Sequence, residues 1–537
     1  MRSRGSGTRA ARSLKYSTGC TALRGRNPRN QHRLYGRSRL QVAAIGYNQD
    51  MIVNGTSATP ASHPTVSGAE LPRLAKKRFL HDAAESVRDT DHRAFIRKAL
   101  GGYYVSRDVQ KSRFRDWEQA RDAASLAKWS AVNRLDELLP RFVANFEANG
   151  GQVHWARDAD EARTIVLDLV KAARAKAVIK SKCMTSEEIH LNAALEADGY
   201  GVVESDLGEF IQQLRGEPPY HFVFPCMHVR REEISDLFGR HLGTAPTDSP
   251  EELTMIARRH MRGLYIDADV GITGANFLVA ETGQISITEN EGNARLTAAL
   301  PRVHIAISGF EKVVEHLDDL AVLLPMLATA GAGQPMTCYN TLYAGPRQPG
   351  EADGPEEMHL VLLDNARTAI LADPEQRDSL HCIRCGACLN VCPIFKNVGG
   401  FTYGTTYQGP IGSVITPHLR GLADWNHLSG ASSLCGACSD ACPVRIDIHH
   451  HLLHNRRNAA RTSPNALEKI GHKIFVLVAS RPWLFALGGK LFRQTLPLLK
   501  ALRPPLLRDW LASRDLPQAP RESFRRQWER RRPEARV

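Results

Sequence analysis

Seven of the eleven cysteines lie between positions 382 and 442. The stretch "HCIRCGACLNVCPI" places Cys382, Cys385, Cys388 and Cys392 ahead of Pro393, and "SSLCGACSDACPV" places Cys435, Cys438 and Cys442 ahead of Pro443. Ser432 stands where the second stretch would carry its first cysteine. The run C-x2-C-x2-C-x3-C-P suits an iron–sulfur centre. Three thiolates at two-residue gaps wrap one cubane, and the fourth, followed by proline, serves the other cluster in two-cluster ferredoxins. Thiolates are the soft, anionic donors that iron–sulfur chemistry prefers. Gly386, Ala387, Gly436 and Ala437 are small enough to bring backbone N–H groups close to the sulfides. Zinc, the competing metal, takes four ligands and leaves seven cysteines with two Cys-Pro endings unexplained.

Crossing the fourth ligands assigns Cys382, Cys385, Cys388 and Cys442 to cluster one, and Cys392, Cys435 and Cys438 to cluster two. The fourth iron of cluster two then lacks a thiolate from this chain. Three arrangements are open: a non-cysteine ligand such as Ser432, Asp440 or solvent, a [3Fe–4S] centre with that iron absent, or a thiolate from another chain. Two centres in one small domain allow fast electron hopping. The 42 residues between Cys392 and Cys435 are too many for a compact β-type ferredoxin and fit a helical dicluster domain.

The elements around this region fall into blocks. Residues 51–150 read as an N-terminal helical segment, with apolar residues at three- and four-residue spacing from Leu74 to Asn149 and a Gly-Gly stop. Residues 151–345 alternate helical patterns with short apolar runs ("KAVIKSK", "YGVVES", "HFVFP", "ADVGITG", "FLVAET", "QISIT", "VHIAIS"), the pattern of an α/β domain with a largely parallel sheet. A Gly/Pro-rich link from Tyr343 to Glu357 marks a boundary. Residues 346–460 then form a helical dicluster domain, opened by one helix over "EEMHLVLLDNARTAILAD", and residues 461–537 a helical tail that ends basic. Within that tail, "KIFVLVASRPWLFALGGKLF" is broken by Arg481-Pro482 into two short apolar helices, expected to dock on the rest of the chain. The histidines of "DIHHHLLH" (His449, His450, His451, His454) are expected to pack on a helix surface rather than bind metal.

The net charge of +13 belongs to the ends. Residues 1–50 hold eleven Lys/Arg against one acid, and residues 521–537 hold seven Arg against three Glu, so the remainder is nearly neutral. That excludes a nucleic-acid-binding body. The first fifty residues read as a basic, disordered extension, or as sequence upstream of a true start at Met51. No apolar h-region signals secretion, and no uninterrupted apolar run reaches the ~18 residues of a spanning helix. Clustered rather than paired cysteines indicate a reducing, cytoplasmic setting.

From about Arg78 to Glu522 the chain resembles the iron–sulfur B subunit of bacterial lactate utilisation, a LUD domain joined to a helical dicluster ferredoxin domain. The likeness is carried by "KSKCMTSEEIHLNAALEADGYGVVESDLGEFIQQLRGEPPYHFVFPCMHVRREEISDLF", by "DADVGITGANFLVAETGQISITENEGNARLTAALPRVHIAISGFEKVV" and by the cysteine region. The family too has three cysteines in its second motif. The resemblance implies two [4Fe–4S] clusters, although helical diclusters of the succinate dehydrogenase type pair this four-plus-three pattern with [3Fe–4S]. It further implies an electron carrier in a system oxidising L-lactate to pyruvate. The expected partners are a cysteine-rich redox subunit, a small LUD-domain subunit and a quinone-linked acceptor at the inner face of the membrane.

LUD domains look like members of the broad fold shared by sugar-phosphate isomerases and CoA transferases (NagB/RpiA/CoA transferase-like), which binds ligands at strand carboxyl ends. Here those ends carry Ser181, Lys182, Glu187, Asn276, Glu281, Thr282, Glu291, Asn293 and Arg295. Lys182 could meet an anionic substrate, with Asn276, and Glu281 and Glu291 could converge on one pocket; the same residue types also serve as turns and caps. No Gly-rich phosphate loop, Ser-His-Asp order or HExxH motif is present. Three functions compete: electron transfer with the chemistry on a partner, an enzyme turning over a small carboxylate or thioester in the α/β pocket, and a scaffold whose clusters only staple the fold.

Overall fold

The computed structural model describes residues 71–462, 466–502 and a subset of 508–531. The basic stretch 1–50 and the Met51 start lie outside the described residues. The described residues belong to one unit.

Four helices lead the described chain: Leu71–Arg88, Thr90–Lys111, Trp117–Asn133 and Leu135–Ala148. Asp116 caps the third by accepting a hydrogen bond from the Gln119 N–H at 3.0 Å. The fourth buries Leu135, Leu138, Phe142 and Phe146, one apolar stripe at helical spacing. It ends before Gly150, whose φ of +92° continues no helix, so the Gly-Gly stop is where the sequence places it.

Ten strands follow: β1 (Gln152–Ala156), β2 (Ala177–Lys180), β3 (Gly201–Glu204), β4 (Val270–Gly274), β5 (Phe277–Val279), β6 (Gln284–Glu289), β7 (Val303–Gly309), β8 (Val313–Val314), β9 (Tyr339–Tyr343) and β10 (Glu357–Leu363). Six make a wholly parallel sheet in the order β1-β10-β7-β4-β2-β3. Helices cover both faces, which is why Val270, Ile272, Ile305 and Ile307 read as continuous apolar runs and are all fully buried. A four-stranded sheet, β8-β5-β6-β9, stands beside it.

Two sequence expectations fail in this domain. The stretch "EEMHLVLLDNARTAILAD" is not one helix: its first half is β10, and only Arg367–Ala372 is helical. Met358 to Leu363 are all buried between β1 and β7, and this pairing outweighs the helical preference of Met and Leu. Asn365 and Ala366, both left-handed at φ 42° and 67°, make the turn between strand and helix. "HFVFP" is not a strand either. The Tyr220 N–H bonds the Pro225 carbonyl at 3.0 Å, closing a compact loop that presses against the cysteine region.

That region is helical: Ala387–Val391, Phe395–Val398, Gly409–Arg420, Leu422–Gly430, Ala437–Ala441 and Ile448–Thr462. It shares one apolar core with the leading helices and the Tyr220 loop, including Phe79, Leu100, Tyr220, Met326, Leu389 and Phe395. A buried ion network adds a polar link to the α/β domain. Arg367 bonds Glu188 in bidentate fashion (2.9 and 2.8 Å) and Glu311 (2.7 Å), and Tyr407 donates to Glu188 at 2.7 Å.

Beyond it, helices Ala466–Ala479 and Pro482–Leu502 pack on each other across a 108° bend at Ser480-Arg481. The expected docking onto the rest of the chain is not found among the described residues: Ile474, Phe475, Trp483, Phe485 and Phe492 are exposed. These apolar residues face outward because the bend leaves the pair little surface of its own to cover them. No single described helix is long and apolar enough to cross a membrane, although the bent pair together has the length and composition.

Candidate functional site

The two cysteine turns are copies of one local structure, fifty residues apart. Arg384 and Leu434 are left-handed at φ 58° and 53°, and Gly386 and Gly436 at φ 78° and 84°. Each glycine opens a short helix, Ala387–Val391 or Ala437–Ala441, and these two helices pack together. Each helix ends in an extended cysteine, Cys392 at φ −69°, ψ 120° and Cys442 at φ −69°, ψ 118°. Gly386 is required twice over: its φ is positive, and a Cβ would lie 2.7 Å from Val223.

Helix packing brings each proline-linked cysteine toward the opposite turn. The Cys385 thiol is raised by burial first, then by the sulfurs of Cys442 and Cys382. Cys442 rises to about 11 through burial, with the Cys382 sulfur adding to it. Cys438 rises to about 12 through burial and the sulfurs of Cys392 and Cys435. Cys388 is also pushed well up by burial, with Cys385 and Cys382 beside it. The sulfurs thus act on one another both within each motif and across the two, and Cys388 also feels the Cys438 sulfur. Buried thiols crowded this way resist ionisation unless cations neutralise them, so the donor set fits iron. Backbone N–H groups already point at sulfur: Arg384 to Cys382 at 3.4 Å, Phe395 to Cys392 at 3.5 Å and Ile446 to Cys442 at 3.3 Å. Cys392 and Cys438 are buried as deeply as the first set, so the two sets differ in exposure at one cysteine each. Cys385, Cys388 and Cys442 are buried and Cys382 is half-buried, whereas Cys435 is exposed.

A cavity of about 300 Å³ adjoins the buried set, with Cys385 and Arg384 in its wall. Its other walls are carboxyl ends of parallel strands: Ser181 and Lys182 after β2, Asp206 after β3, Asn276 after β4 and Lys312 after β7. Glu289, Glu291 and Asn293 close one side. Lys182 donates to Asp206 at 3.1 Å and to the Val223 carbonyl at 3.2 Å. Burial works against its charge, but the Asp206 and Glu209 carboxylates outweigh it and hold the amine above the ordinary lysine range. Glu291 accepts from the Leu207 N–H at 3.2 Å; enclosure and then Asp206 raise its carboxyl to about 7. Lys312 falls to about 8 through burial and the nearby Arg384 cation.

Of the expected pocket residues, Lys182, Asn276 and Glu291 therefore meet, and Glu281 does not. Glu281 is exposed at the β5–β6 turn, where it accepts from the Leu317 N–H at 3.1 Å. The six-residue strand β6 separates it from Glu291, roughly 20 Å of extended chain, so the two lie at opposite ends of the hairpin. Thr282 shares that turn. Glu187 bonds the buried Lys180 at 3.0 Å, and Arg295 lies over the Tyr339 ring. Asp206, Glu289, Lys312 and Arg384 are charged pocket residues that sequence reasoning missed. Asp206 and Lys312 lie two and three residues beyond a strand end, a signal that was available; the approach of Arg384 was not.

The histidine run lies on helix Ile448–Thr462 and is engaged in packing bonds. His451 bonds the Glu375 carbonyl at 2.8 Å, His449 the Ser439 hydroxyl at 2.7 Å and His450 Asp447 at 2.6 Å.

Three known families match segments of the chain: LUD domain over residues 139–363, 4Fe-4S dicluster domain over 378–446, and lactate utilisation protein B, C-terminal, over 450–533. The dicluster match implies two 4Fe–4S clusters. Lactate utilization protein B of Shouchella clausii is 41% identical over 84% of this chain and 97% of its own length. The protein of the same description from Bacillus licheniformis is 43% identical over 78% of this chain and 89% of its own. A solved DUF162 family protein from Deinococcus radiodurans is 13% identical over 43% of this chain and 98% of its own, with a TM-score of 0.25.

Proposed function

Because the chain belongs to the lactate utilisation protein B family and carries a 4Fe–4S dicluster domain, we propose that it is the electron-transfer subunit of a complex oxidising L-lactate to pyruvate. Cys382, Cys385, Cys388 and Cys442 would hold cluster one, and Cys392, Cys435 and Cys438 cluster two. Bound 4Fe–4S clusters supply one-electron storage and transfer. This chain's own residues bury the first set beside the cavity and leave the second set open at Cys435. Two cysteine turns joined by packed helices, with Cys385 in the cavity wall and Cys435 exposed at the other turn, are the observation that carries the proposal. It suits one electron partner at the cavity side and another at the surface. A cysteine-rich redox subunit and a small LUD-domain subunit are the partners such a chain would serve.

The test is anaerobic purification of the reconstituted chain alone. Reversible reduction without lactate oxidation is expected, and lactate turnover by the isolated chain would overturn it. A second reading follows from the cavity, in which Lys182, Lys312 and Arg384 stand within one wall system next to Cys385. There the α/β domain binds a small carboxylate or thioester within reach of cluster one. Binding of lactate or pyruvate that is lost in Lys182→Ala supports it, and absence of binding removes it.

The tail fits a peripheral position. Exposed Phe475, Trp483, Phe485 and Phe492 lie on helices whose surroundings include Lys473, Arg481, Lys490 and Arg493. Apolar residues with basic neighbours suit an anionic bilayer surface and a quinone-linked acceptor. Co-sedimentation with anionic vesicles and not neutral ones is expected; equal behaviour with both would refute it.

A further inference from the structure

We infer that the Ser432 side-chain oxygen is the fourth protein ligand of cluster two, an inference that rests on the ligand assignment proposed above. The fifty-residue repeat places Ser432 at the position of Cys382. The correspondence is atomic. The Arg384 N–H donates to the Cys382 sulfur at 3.4 Å, and the Leu434 N–H donates to the Ser432 hydroxyl oxygen at 3.2 Å. Both donors are the left-handed residue two places on, so the same turn presents sulfur in one copy and oxygen in the other.

The segment is also held in place. Arg456 donates to the carbonyls of Ser429 (2.8 Å), Gly430 (3.2 Å) and Ser432 (2.7 Å), clamping the chain that enters the second turn. Ser432 is half-buried, whereas its neighbour Ser433 is exposed. The other oxygen donor nearby, Asp440, fits less well. Its counterpart in the first turn, Asn390, turns to the Gly331 carbonyl (2.8 Å) and His221 (3.2 Å), and Asp440 itself is exposed.

On ligation the Ser432 hydroxyl loses its proton to water and its oxygen bonds one iron, with no change of oxidation state. An alkoxide is a harder donor than a thiolate and favours the ferric ion. Cluster two would therefore be set apart from cluster one in potential, and its serine-bound iron would be the one most easily lost.

The experiment uses the full chain reconstituted anaerobically with iron and sulfide, as wild type, Ser432→Ala, Ser432→Cys and Ser433→Ala. Iron content, Mössbauer and EPR spectra, and EPR in ¹⁷O-labelled water are read. Wild type should show two four-iron signals with no ¹⁷O broadening. Ser432→Ala should gain ¹⁷O broadening on cluster two and lose one iron at least about tenfold faster under mild oxidant, as loss of a metal-site contact does elsewhere. Ser432→Cys should resist that loss and raise the potential of cluster two, and Ser433→Ala should match wild type. An unchanged cluster one signal in every variant reports an intact fold. Broadening of the wild-type signal by ¹⁷O, or identical iron loss in wild type and Ser432→Ala, overturns the inference. Cys435→Ala separates it from the assignment beneath: if that variant keeps cluster two, the assignment itself fails.

Discussion

The two cysteine turns share backbone dihedrals, helix length and proline ending, yet they differ in how much of each is covered. The first is packed on both sides, by the Tyr220 loop and by helix Asp319–Ala332, so closely that a Cβ on Gly331 would lie 2.2 Å from the Cys385 carbonyl. The second lies near the surface, with Cys435 exposed and Ser432 half-buried. In the proposed function the same local fold would serve two ends of an electron route. What distinguishes them is the surrounding protein, because solvent exposure and nearby charge set a cluster's potential as much as its ligands do.

The comparison is broken most severely by removing a ligand from the packed side. Cys388→Ala should cost cluster one and the fold of the region, since binding energy at such sites is folding energy. Cys435→Ala should cost only cluster two and leave the thermal transition of the rest in place. Iron analysis with calorimetry checks both.

Next in size is the ion network behind the first turn. Glu188→Ala leaves Arg367 buried without its bidentate partner and should destabilise the chain by about 3–5 kcal/mol. The exposed Arg445–Asp122 pair near the second turn should cost no more than about 1 kcal/mol in Asp122→Ala. Urea unfolding of the two variants gives the contrast directly.

Acid should act mainly on the buried half. Burial lowers His304 to about 3, followed by the effect of His359, while an unfolded histidine titrates near 6.5. Below 6.5 the unfolded chain takes up a proton that the folded one refuses. Stability from this group is thus complete above 6.5 and lost as the pH falls toward 3, by about 2 kcal/mol at pH 5. His304→Gln should flatten that part of the stability curve.

The smallest effect belongs to the cavity. Glu291 ionises as the pH rises through about 7, adding negative charge to the wall. Binding of lactate or pyruvate should weaken a few-fold between pH 6 and 8 in wild type, and not in Glu291→Gln, by calorimetric titration.

Much of this was legible in the residues themselves. Cysteine spacing alone gives the metal and the number of centres, because a cubane imposes short fixed gaps that few other structures need. The Gly150-Gly151 stop and the alternation of helix with apolar strand likewise follow from local chemistry, and so does the placing of Lys182, Asn276 and Glu291 at strand ends. Other features depended on partners far away in the chain. Met358–Leu363 became strand only because β1 and β7 flank it, and Glu281 left the pocket because its hairpin points the other way. Arg384 reached the cavity only through domain packing. Ser432 shows the division within one residue. Its place in the motif could be counted along the chain, but its oxygen's equivalence to the Cys382 sulfur is a matter of backbone conformation, which is set by packing as well as by local sequence.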